Sequence, residues 1–128
     1  MGVFYTDATI VNTQDENRSV KINGVLVDTG SEASWIPRLL LDSIGIVTRK
    51  KDQSFKKANS QVITRGIGYA LIRSAGYETV DEVVFAEDGD LILLGARTLE
   101  GFNVRVDPVN KRLVAAGPIP AAGNIRTM

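Results

Sequence analysis

Residues 25–31 read Val-Leu-Val-Asp-Thr-Gly-Ser, an apolar run that leads directly into an acid, a small hydroxyl residue and a glycine. The apolar residues predict a buried strand. Asp28 then stands at the end of that strand, and Gly30 allows the chain to turn sharply away from it. A carboxylate held at the end of a buried strand is the first candidate for chemistry in this sequence.

The composition narrows the chemistry that is available. The chain contains no histidine and no cysteine. It therefore cannot build a Ser-His-Asp triad, a thiol nucleophile, a disulfide framework or the usual zinc sites with histidine or thiolate ligands. A carboxylate is nearly the only catalytic group left near neutral pH, and we expect neither a metal nor another cofactor.

Length and charge place further limits on the protein. The 128 residues fit one domain with a substantial core, and 15 basic residues balance 15 acidic ones. No overall field therefore attracts nucleic acid or an anionic membrane surface. No apolar run approaches the roughly 18 residues of a membrane span, and the beginning of the chain lacks a signal-peptide pattern. The expected location is cytoplasmic.

Short β-like runs separated by turn signals fill most of the chain. The pattern predicts a first strand over 3–11 and further strands over 19–22 and 25–27. Asn23-Gly24, between the last two, is typical of a tight hairpin turn, because both turn positions need positive φ. The most apolar run, residues 91–95, predicts a central strand that is buried on both faces.

Two short helical segments interrupt the β pattern. A helix of about two turns is expected over 38–45, after Pro37, and a helical turn over 96–100, ended by Gly101. We therefore predict an all-β domain with one or two short helices over residues 1–115. The Ala/Gly/Pro-rich tail, residues 116–128, is expected to be poorly ordered.

The segment 48–60 is polar and rich in lysine, which predicts an exposed loop or the tip of a long hairpin. It contains a basic cluster: Arg49, Lys50, Lys51, Lys56 and Lys57. Few aromatic residues interleave with the cluster, and this favours a solvated surface over a phosphate-binding patch.

Two motifs together resemble those of the single-domain, retropepsin-like aspartic proteases. The first is residues 27–34, Val-Asp-Thr-Gly-Ser-Glu-Ala-Ser, and the second is residues 92–97, Ile-Leu-Leu-Gly-Ala-Arg. The resemblance covers about residues 19–115. It implies the closed β-barrel of an acid protease, in which Leu93, Leu94 and Gly95 belong to a ψ-shaped core beside the catalytic loop.

The resemblance implies an endopeptidase that acts as a homodimer on peptide or protein substrates. Metal-free amide hydrolysis needs a general base for water and an acid for the products, and two close carboxyls that share one proton can serve as both. The chain has one Asp-Thr-Gly, so Asp28 would meet its copy on a two-fold axis. In the family pattern, Thr29 locks the two loops together and Gly30 lets the substrate backbone approach.

Supporting roles follow from the same resemblance. Glu32 and Arg97 are expected either to form a partly buried ion pair that props the catalytic loop, with Ser34 in the same loop, or to be two exposed charges. A hydrogen bond from the Ser31 hydroxyl to the carboxylate would favour the ionised acid, so we expect an optimum on the acidic side of neutrality.

The flap that closes over a bound peptide is assigned to Ala58, Asn59, Ser60 and Gln61. The competing flap tip is Gly66-Ile67-Gly68, but the strand pattern on both sides of Gly66 favours one kinked strand. Trp35 belongs either to the core or to the wall of a side-chain pocket, and the core is favoured.

Two other functions compete with the endopeptidase. The same fold could serve as a catalytically silent, dimeric module that binds peptides, although Asp28, Thr29 and Gly30 show no degenerate substitution. An unrelated β-barrel binding protein would require both motifs to be coincidences.

Overall fold

The structure is a computed structural model that describes residues 4–122. Within that range the chain forms nine strands and two short helices, which confirms the predicted all-β class. In chain order the elements are β1 (Phe4–Asn12), β2 (Asp15–Val27), β3 (Ser34–Pro37), α1 (Arg38–Ser43), β4 (Lys50–Lys56), β5 (Val62–Ser74), β6 (Tyr77–Ala86), β7 (Leu93–Leu94), α2 (Ala96–Phe102), β8 (Val104–Asp107) and β9 (Arg112–Ala115).

Seven strands form one sheet in the order β1-β2-β7-β3-β6-β5-β4. Because β1 also pairs with β5, this sheet returns on itself and forms a ring, with β4 attached outside it. β8 and β9 form a separate two-stranded sheet. β2 lies parallel to β7, and β3 lies parallel to β6. These parallel pairs bring segments that are far apart in sequence side by side, and the candidate site is built where they meet.

The main hydrophobic core takes residues from every strand of the ring, from both helices and from the β8–β9 sheet. Its fully buried members include Ile36 of β3 and Phe85 of β6. Since alternate residues of a strand point to opposite faces, Trp35 and Val84 belong to the other face, where they form a smaller cluster with Ala33. β4 contributes no residue to the main core, and its side chains are mostly exposed.

β2 is one continuous strand of 13 residues, so the predicted hairpin turn at Asn23-Gly24 is wrong. Both residues lie opposite Asp7 of β1, where the strand pairing shifts, and form a β-bulge. Gly24 has a φ of +72°, and its amide donates a hydrogen bond of 3.0 Å to Asp7 Oδ1. The bulge uses the same positive φ that a tight hairpin turn requires, which is why the local sequence signal was misleading.

The turn between β1 and β2 lies at residues 13–14. The Asn12 side chain holds it, because its Oδ1 accepts hydrogen bonds of 2.7 Å from the Gln14 amide and 3.2 Å from the Asp15 amide. Asp28 therefore follows the second arm of a long hairpin rather than a tight one.

The second helix extends further than predicted. α1 agrees with the expected helix, whereas α2 continues through Gly101 and ends at Asn103, which has a left-handed φ of +57°. Gly101 is needed for packing instead, because a Cβ atom there would lie 2.3 Å from Thr79 Oγ1 of β6.

Of the apolar run 91–95, only Leu93 and Leu94 form a strand, and Leu91 is 65% exposed, so burial of the whole run on both faces is incorrect.

The segment after β9 contains no helix or strand over residues 116–122. Its start is tied to the domain: the Ala116 amide donates to the Asn103 carbonyl at 2.9 Å, and Asn103 Nδ2 donates to the Gly117 carbonyl at 2.8 Å. Residues 1–3, where the predicted first strand begins, and residues 123–128 of the predicted tail lie outside the described residues.

β4 and β5 form a hairpin, and β5 runs without a break through Gly66-Ile67-Gly68 while pairing with both β4 and β6. Gly68 is buried where this strand crosses the chain after α1. A Cβ atom at Gly68 would lie 2.8 Å from Ile46 Cγ2 and 2.8 Å from the Val47 carbonyl oxygen. The two glycines therefore belong to a strand and serve its packing.

Gly68→Ala should lower the free energy of unfolding by about 1–3 kcal/mol, because a methyl group overpacks against a backbone carbonyl that cannot move independently. Gly66→Ala is the matched control, since its methyl group would meet mainly Thr48 Cγ2, at 3.0 Å. Urea unfolding of both variants measures the difference. Equal losses would show that the close approach at Gly68 does not matter.

Candidate active site

Asp28 comes directly after β2 and is half-buried, whereas Thr29 and Gly30 are exposed. The Asp28 amide donates to the Leu94 carbonyl at 3.0 Å, and the Asp28 carbonyl accepts from the Ser31 amide at 3.2 Å. One carboxylate oxygen, Oδ1, accepts a hydrogen bond of 2.9 Å from the Gly30 amide. Within residues 4–122 the other oxygen, Oδ2, accepts no hydrogen bond.

The loop after Asp28 is fastened to the second predicted motif along its backbone. The Ala96 amide donates to the Ser31 carbonyl at 2.7 Å, and the Arg97 amide donates to the Glu32 carbonyl at 3.1 Å. Just before these residues, Leu93 and Leu94 lie in parallel register with Leu26 and Val27 of β2. The structure thus brings the two motifs together although about 65 residues separate them in sequence.

Gly95 allows this contact. A Cβ atom at Gly95 would lie 2.3 Å from the Ala33 carbonyl oxygen and 2.8 Å from the Glu32 carbonyl oxygen. Both obstacles are backbone atoms, which a side-chain rotation cannot remove. Any residue other than glycine would therefore push the loop after Asp28 away from α2.

Beneath the loop, a chain of hydrogen bonds runs through the buried hydroxyls of Ser34 and Thr98. The Gly95 amide donates to Ser34 Oγ at 2.9 Å, Ser34 Oγ lies 2.5 Å from Thr98 Oγ1, and Thr98 Oγ1 donates to Asp81 Oδ2 at 2.9 Å. Because the Asp81 carboxylate accepts at the far end, Ser34 must donate to Thr98. Both hydroxyls are fully buried, so the hydrogen-bond chain joins β3, α2 and β6 behind the loop that follows Asp28.

The expected hydrogen bond from Ser31 to the carboxylate is absent, and of the two alternatives for Glu32 and Arg97 the structure has the second, two exposed residues that do not pair with each other. The Ser31 hydroxyl donates to the Ala33 carbonyl at 2.9 Å and not to the Asp28 carboxylate, so it offers no hydrogen bond to favour the ionised acid. Arg97 directs its guanidinium to Glu82 Oε1, at 3.0 Å, rather than to Glu32, whose side chain is exposed. Glu32 and Arg97 are joined through their backbones only.

Glu82 of β6 is the common partner of two basic residues. Its carboxylate accepts hydrogen bonds from Lys50 of β4 and from Arg97 of α2. The Lys50 ammonium, with further help from Arg97, holds the pKa of the Glu82 carboxyl below its ordinary value. These three residues connect the β4–β5 hairpin to α2, the helix behind the loop that follows Asp28.

A cleft of about 520 Å³ opens between the loop after Asp28 and the β4–β5 hairpin. Residues 30–33 form one side, and residues 55–58 form the other. Trp35 is half-buried and lines the cleft, where its ring centroid lies 5.0 Å from that of Phe55. Trp35 therefore contributes both to the smaller cluster and to the cleft wall.

The predicted flap residues lie at the tip of the β4–β5 hairpin. The Lys57 amide donates to the Gln61 carbonyl at 2.8 Å, the Gln61 amide donates to Asn59 Oδ1 at 3.0 Å, and Ser60 has a φ of +69°. Of the four predicted residues, Ala58 lines the cleft. Asn59, Ser60 and Gln61 are exposed at the tip.

Sequence analysis missed an ion pair at the base of the hairpin. Arg65 of β5 binds Asp90 with both ends of its guanidinium, at 2.7 Å from Nε to Oδ2 and 2.9 Å from Nη2 to Oδ1. The Glu87 amide also donates to Asp90, at 2.8 Å. The Arg65 guanidinium holds the pKa of the Asp90 carboxyl below its ordinary value, against the opposing effect of burial.

A second, more polar cleft of about 330 Å³ includes the β1–β2 turn, Arg18 and Arg49. None of the predicted site residues lines it. The basic cluster of residues 49–57 is thus divided: Arg49 faces this cleft, Lys50 binds Glu82, and Lys56 and Lys57 line the first cleft.

Comparisons with known protein families and curated proteins identify no relative of this chain. No protein-family model matches the chain, and a search of curated proteins finds no match. Within residues 4–122, no helix has both the length and the apolar character needed to cross a membrane. The same residues contain no group of three or more acidic side chains that could hold a metal ion.

Ser34→Ala should lower the free energy of unfolding by about 1–3 kcal/mol, because it leaves the buried Gly95 amide without its acceptor. The matched control is Ser43→Ala, whose hydroxyl donates to the Leu40 carbonyl at an exposed position. That variant should change stability by less than about 0.5 kcal/mol. Denaturant unfolding of both variants measures the two free energies. Equal losses of stability would contradict the role of the buried hydrogen-bond chain.

Arg65→Met should destabilise the fold by about 1–3 kcal/mol at neutral pH, because it leaves a mostly buried carboxylate unpaired. The pKa of Asp90 is lowered in the folded state, so its contribution is present above the unfolded-state pKa and is lost as the pH falls through the folded-state value. The difference between variant and wild type should therefore shrink as the pH drops below about 4.

Unfolding curves at several pH values test this. Arg73→Met is the control, because Arg73 also binds two acids, Glu16 and Glu78, but all three side chains are largely exposed. It should cost much less stability. A gap between the Arg65 variant and wild type that stays constant down to strongly acidic pH would contradict the role of Asp90.

Proposed function

We propose that this protein is an aspartic endopeptidase with a retropepsin-like fold, and that it acts as a homodimer with one Asp28 from each copy. The observation that carries the proposal is the meeting of the Asp28 loop with Gly95 and α2 beside a cleft whose other side is the β4–β5 hairpin. Oδ1 of Asp28 is held by the Gly30 amide, whereas Oδ2 has no partner within the described residues. A carboxylate fixed on one side and open on the other suits both a base and an acid.

The exposure of the loop supports a shared site. Thr29 and Gly30 are exposed and Asp28 is half-buried in the single chain, so a second copy could approach this surface without unfolding the loop. A Cβ atom at Gly30 would lie 3.1 Å from Asp28 Oδ1, so a larger residue there would crowd the carboxylate. Since the chain has one Asp-Thr-Gly, a pair of such carboxyls requires two copies.

In the proposed reaction, the ionised Asp28 takes a proton from water while the water oxygen attacks the scissile carbonyl carbon. The protonated Asp28 of the other copy hydrogen-bonds the carbonyl oxygen and transfers its proton as the tetrahedral intermediate forms. The C–N bond then breaks as the leaving nitrogen receives a proton from one carboxyl, while a hydroxyl of the intermediate returns its proton to the other carboxyl as the new carbonyl forms. Each carboxyl alternates between acid and base, so neither a metal nor a cofactor takes part.

Asp28→Asn should reduce cleavage of a peptide library by about 10²- to 10⁴-fold, because an amide can neither accept the proton from water nor return it. Asp42→Asn, at an exposed position of α1, is the matched control and should retain activity. Mass spectrometry of the products across a range of pH measures the effect. Wild-type activity should peak on the acidic side of neutrality, where a carboxyl pair keeps one proton.

Mixing the two chains tests the shared site. Excess Asp28→Asn chains should depress wild-type activity, since mixed dimers carry a single carboxyl, whereas excess Asp42→Asn chains should not. Cleavage that survives Asp28→Asn would remove Asp28 from the mechanism. If neither wild type nor variant cuts any peptide while both dimerise and bind peptides, the silent binding module would be the better description.

A further inference from the structure

The cleft beside the catalytic loop has an uneven distribution of charge. Lys56 ends β4 and Lys57 begins the hairpin tip, and both line the cleft with exposed side chains. Within residues 4–122, no carboxylate lies within 4.0 Å of the ammonium group of either lysine. Lys56 and Lys57 thus place two uncompensated positive charges at the hairpin side of the cleft.

The acidic residues of the cleft do not neutralise these lysines. Asp90 lies near enough to Lys57 to respond to its charge, but both of its oxygens already bind Arg65. Those three groups together keep a positive charge. Glu32 is the other acid of the cleft, and it belongs to the catalytic loop on the opposite side.

Next to the lysines the cleft wall is apolar. Phe55 immediately precedes Lys56 and packs its ring against Trp35, and Ile63, Leu91 and Leu93 complete this part of the wall. A cleft of about 520 Å³ has room for a large side chain. A ligand that fills it would place its neighbouring groups beside the two ammonium groups.

We propose that the cleft selects peptide segments in which a large apolar side chain is adjacent to an acidic one. The inference rests on the proposed peptidase function and names the substrate class of that site. The apolar side chain packs against Trp35 and Phe55, and the carboxylate binds Lys56 and Lys57. Lysine suits this task because its long flexible stem can carry the ammonium group to carboxylates in slightly different positions.

The expected selectivity is moderate, because both lysines are exposed to solvent and salt. One or two exposed ion pairs should favour a Glu-containing peptide over its Gln counterpart by about three- to tenfold. The preference should decline at high ionic strength, since screening weakens such pairs.

The experiment uses short peptides with a central Phe and Glu, Gln or Lys at each flanking position. Wild type should show a kcat/KM about three- to tenfold higher for the best Glu peptide than for its Gln counterpart. Lys56→Glu and Lys57→Glu should each reduce or reverse that ratio. Lys51→Glu is the matched control, because it makes the same change of charge at an exposed position of β4 that does not line the cleft.

Labelled versions of the same peptides, bound to Asp28→Asn and followed by fluorescence anisotropy, separate this inference from the proposed function. Absence of cleavage with retained preference for Glu in binding would overturn the peptidase and support the selectivity. Equal cleavage of Glu and Gln peptides would overturn the selectivity alone, and so would a Lys51→Glu effect as large as that of Lys56→Glu. Absence of both cleavage and binding would overturn both.

Discussion

The approach of the Asp28 loop to Gly95 is the constraint on which the rest of the structure depends. Two backbone segments come so close there that no side chain fits between them, and amides of the second segment bind carbonyls of the first. The contact fixes the loop without using the Asp28 side chain. It also explains why a parallel pairing of only two residues, β2 with β7, is sufficient, since the loop beyond the strands continues the contact.

Around this contact, polar groups join elements that the hydrophobic core alone would not hold in register. The buried hydroxyls of Ser34 and Thr98 link the loop to β6, and Glu82 links β6 to both the hairpin and α2. Arg65 and Asp90 connect the base of the hairpin to the chain before β7. The cleft therefore has two walls that are each fastened to β6 or its neighbours. The hairpin tip, at the end of one wall, is held by the hydrogen bonds of its own turn.

Local sequence was sufficient where a residue's role depends on its immediate neighbours. The all-β class, α1, the strand before Asp28 and the hairpin tip at residues 58–61 could all be predicted from short patterns. Partners from distant strands could not. Arg97 has Glu32 nearby along the fold, but β6 offers Glu82 on the side to which its guanidinium points. Likewise, Phe55 and Lys57 line the cleft only because the β4–β5 hairpin lies opposite residues 30–33, a placement that no local pattern reveals.

The β-bulge at Asn23-Gly24 is another feature that local sequence could not predict, and it affects the direction of every later side chain of β2. In a regular strand, residues an odd number apart face opposite sides, yet Ile22 and Val25 both pack on the main core. The extra residue at the bulge corrects the alternation, so that Val27 points inward and the next residue, Asp28, does not. A Cβ atom at Gly24 would meet nothing within 4 Å, but the φ of +72° at this position still favours glycine. The number of residues in β2 therefore determines to which face of the sheet the later side chains point. It thereby determines the side on which Asp28 lies.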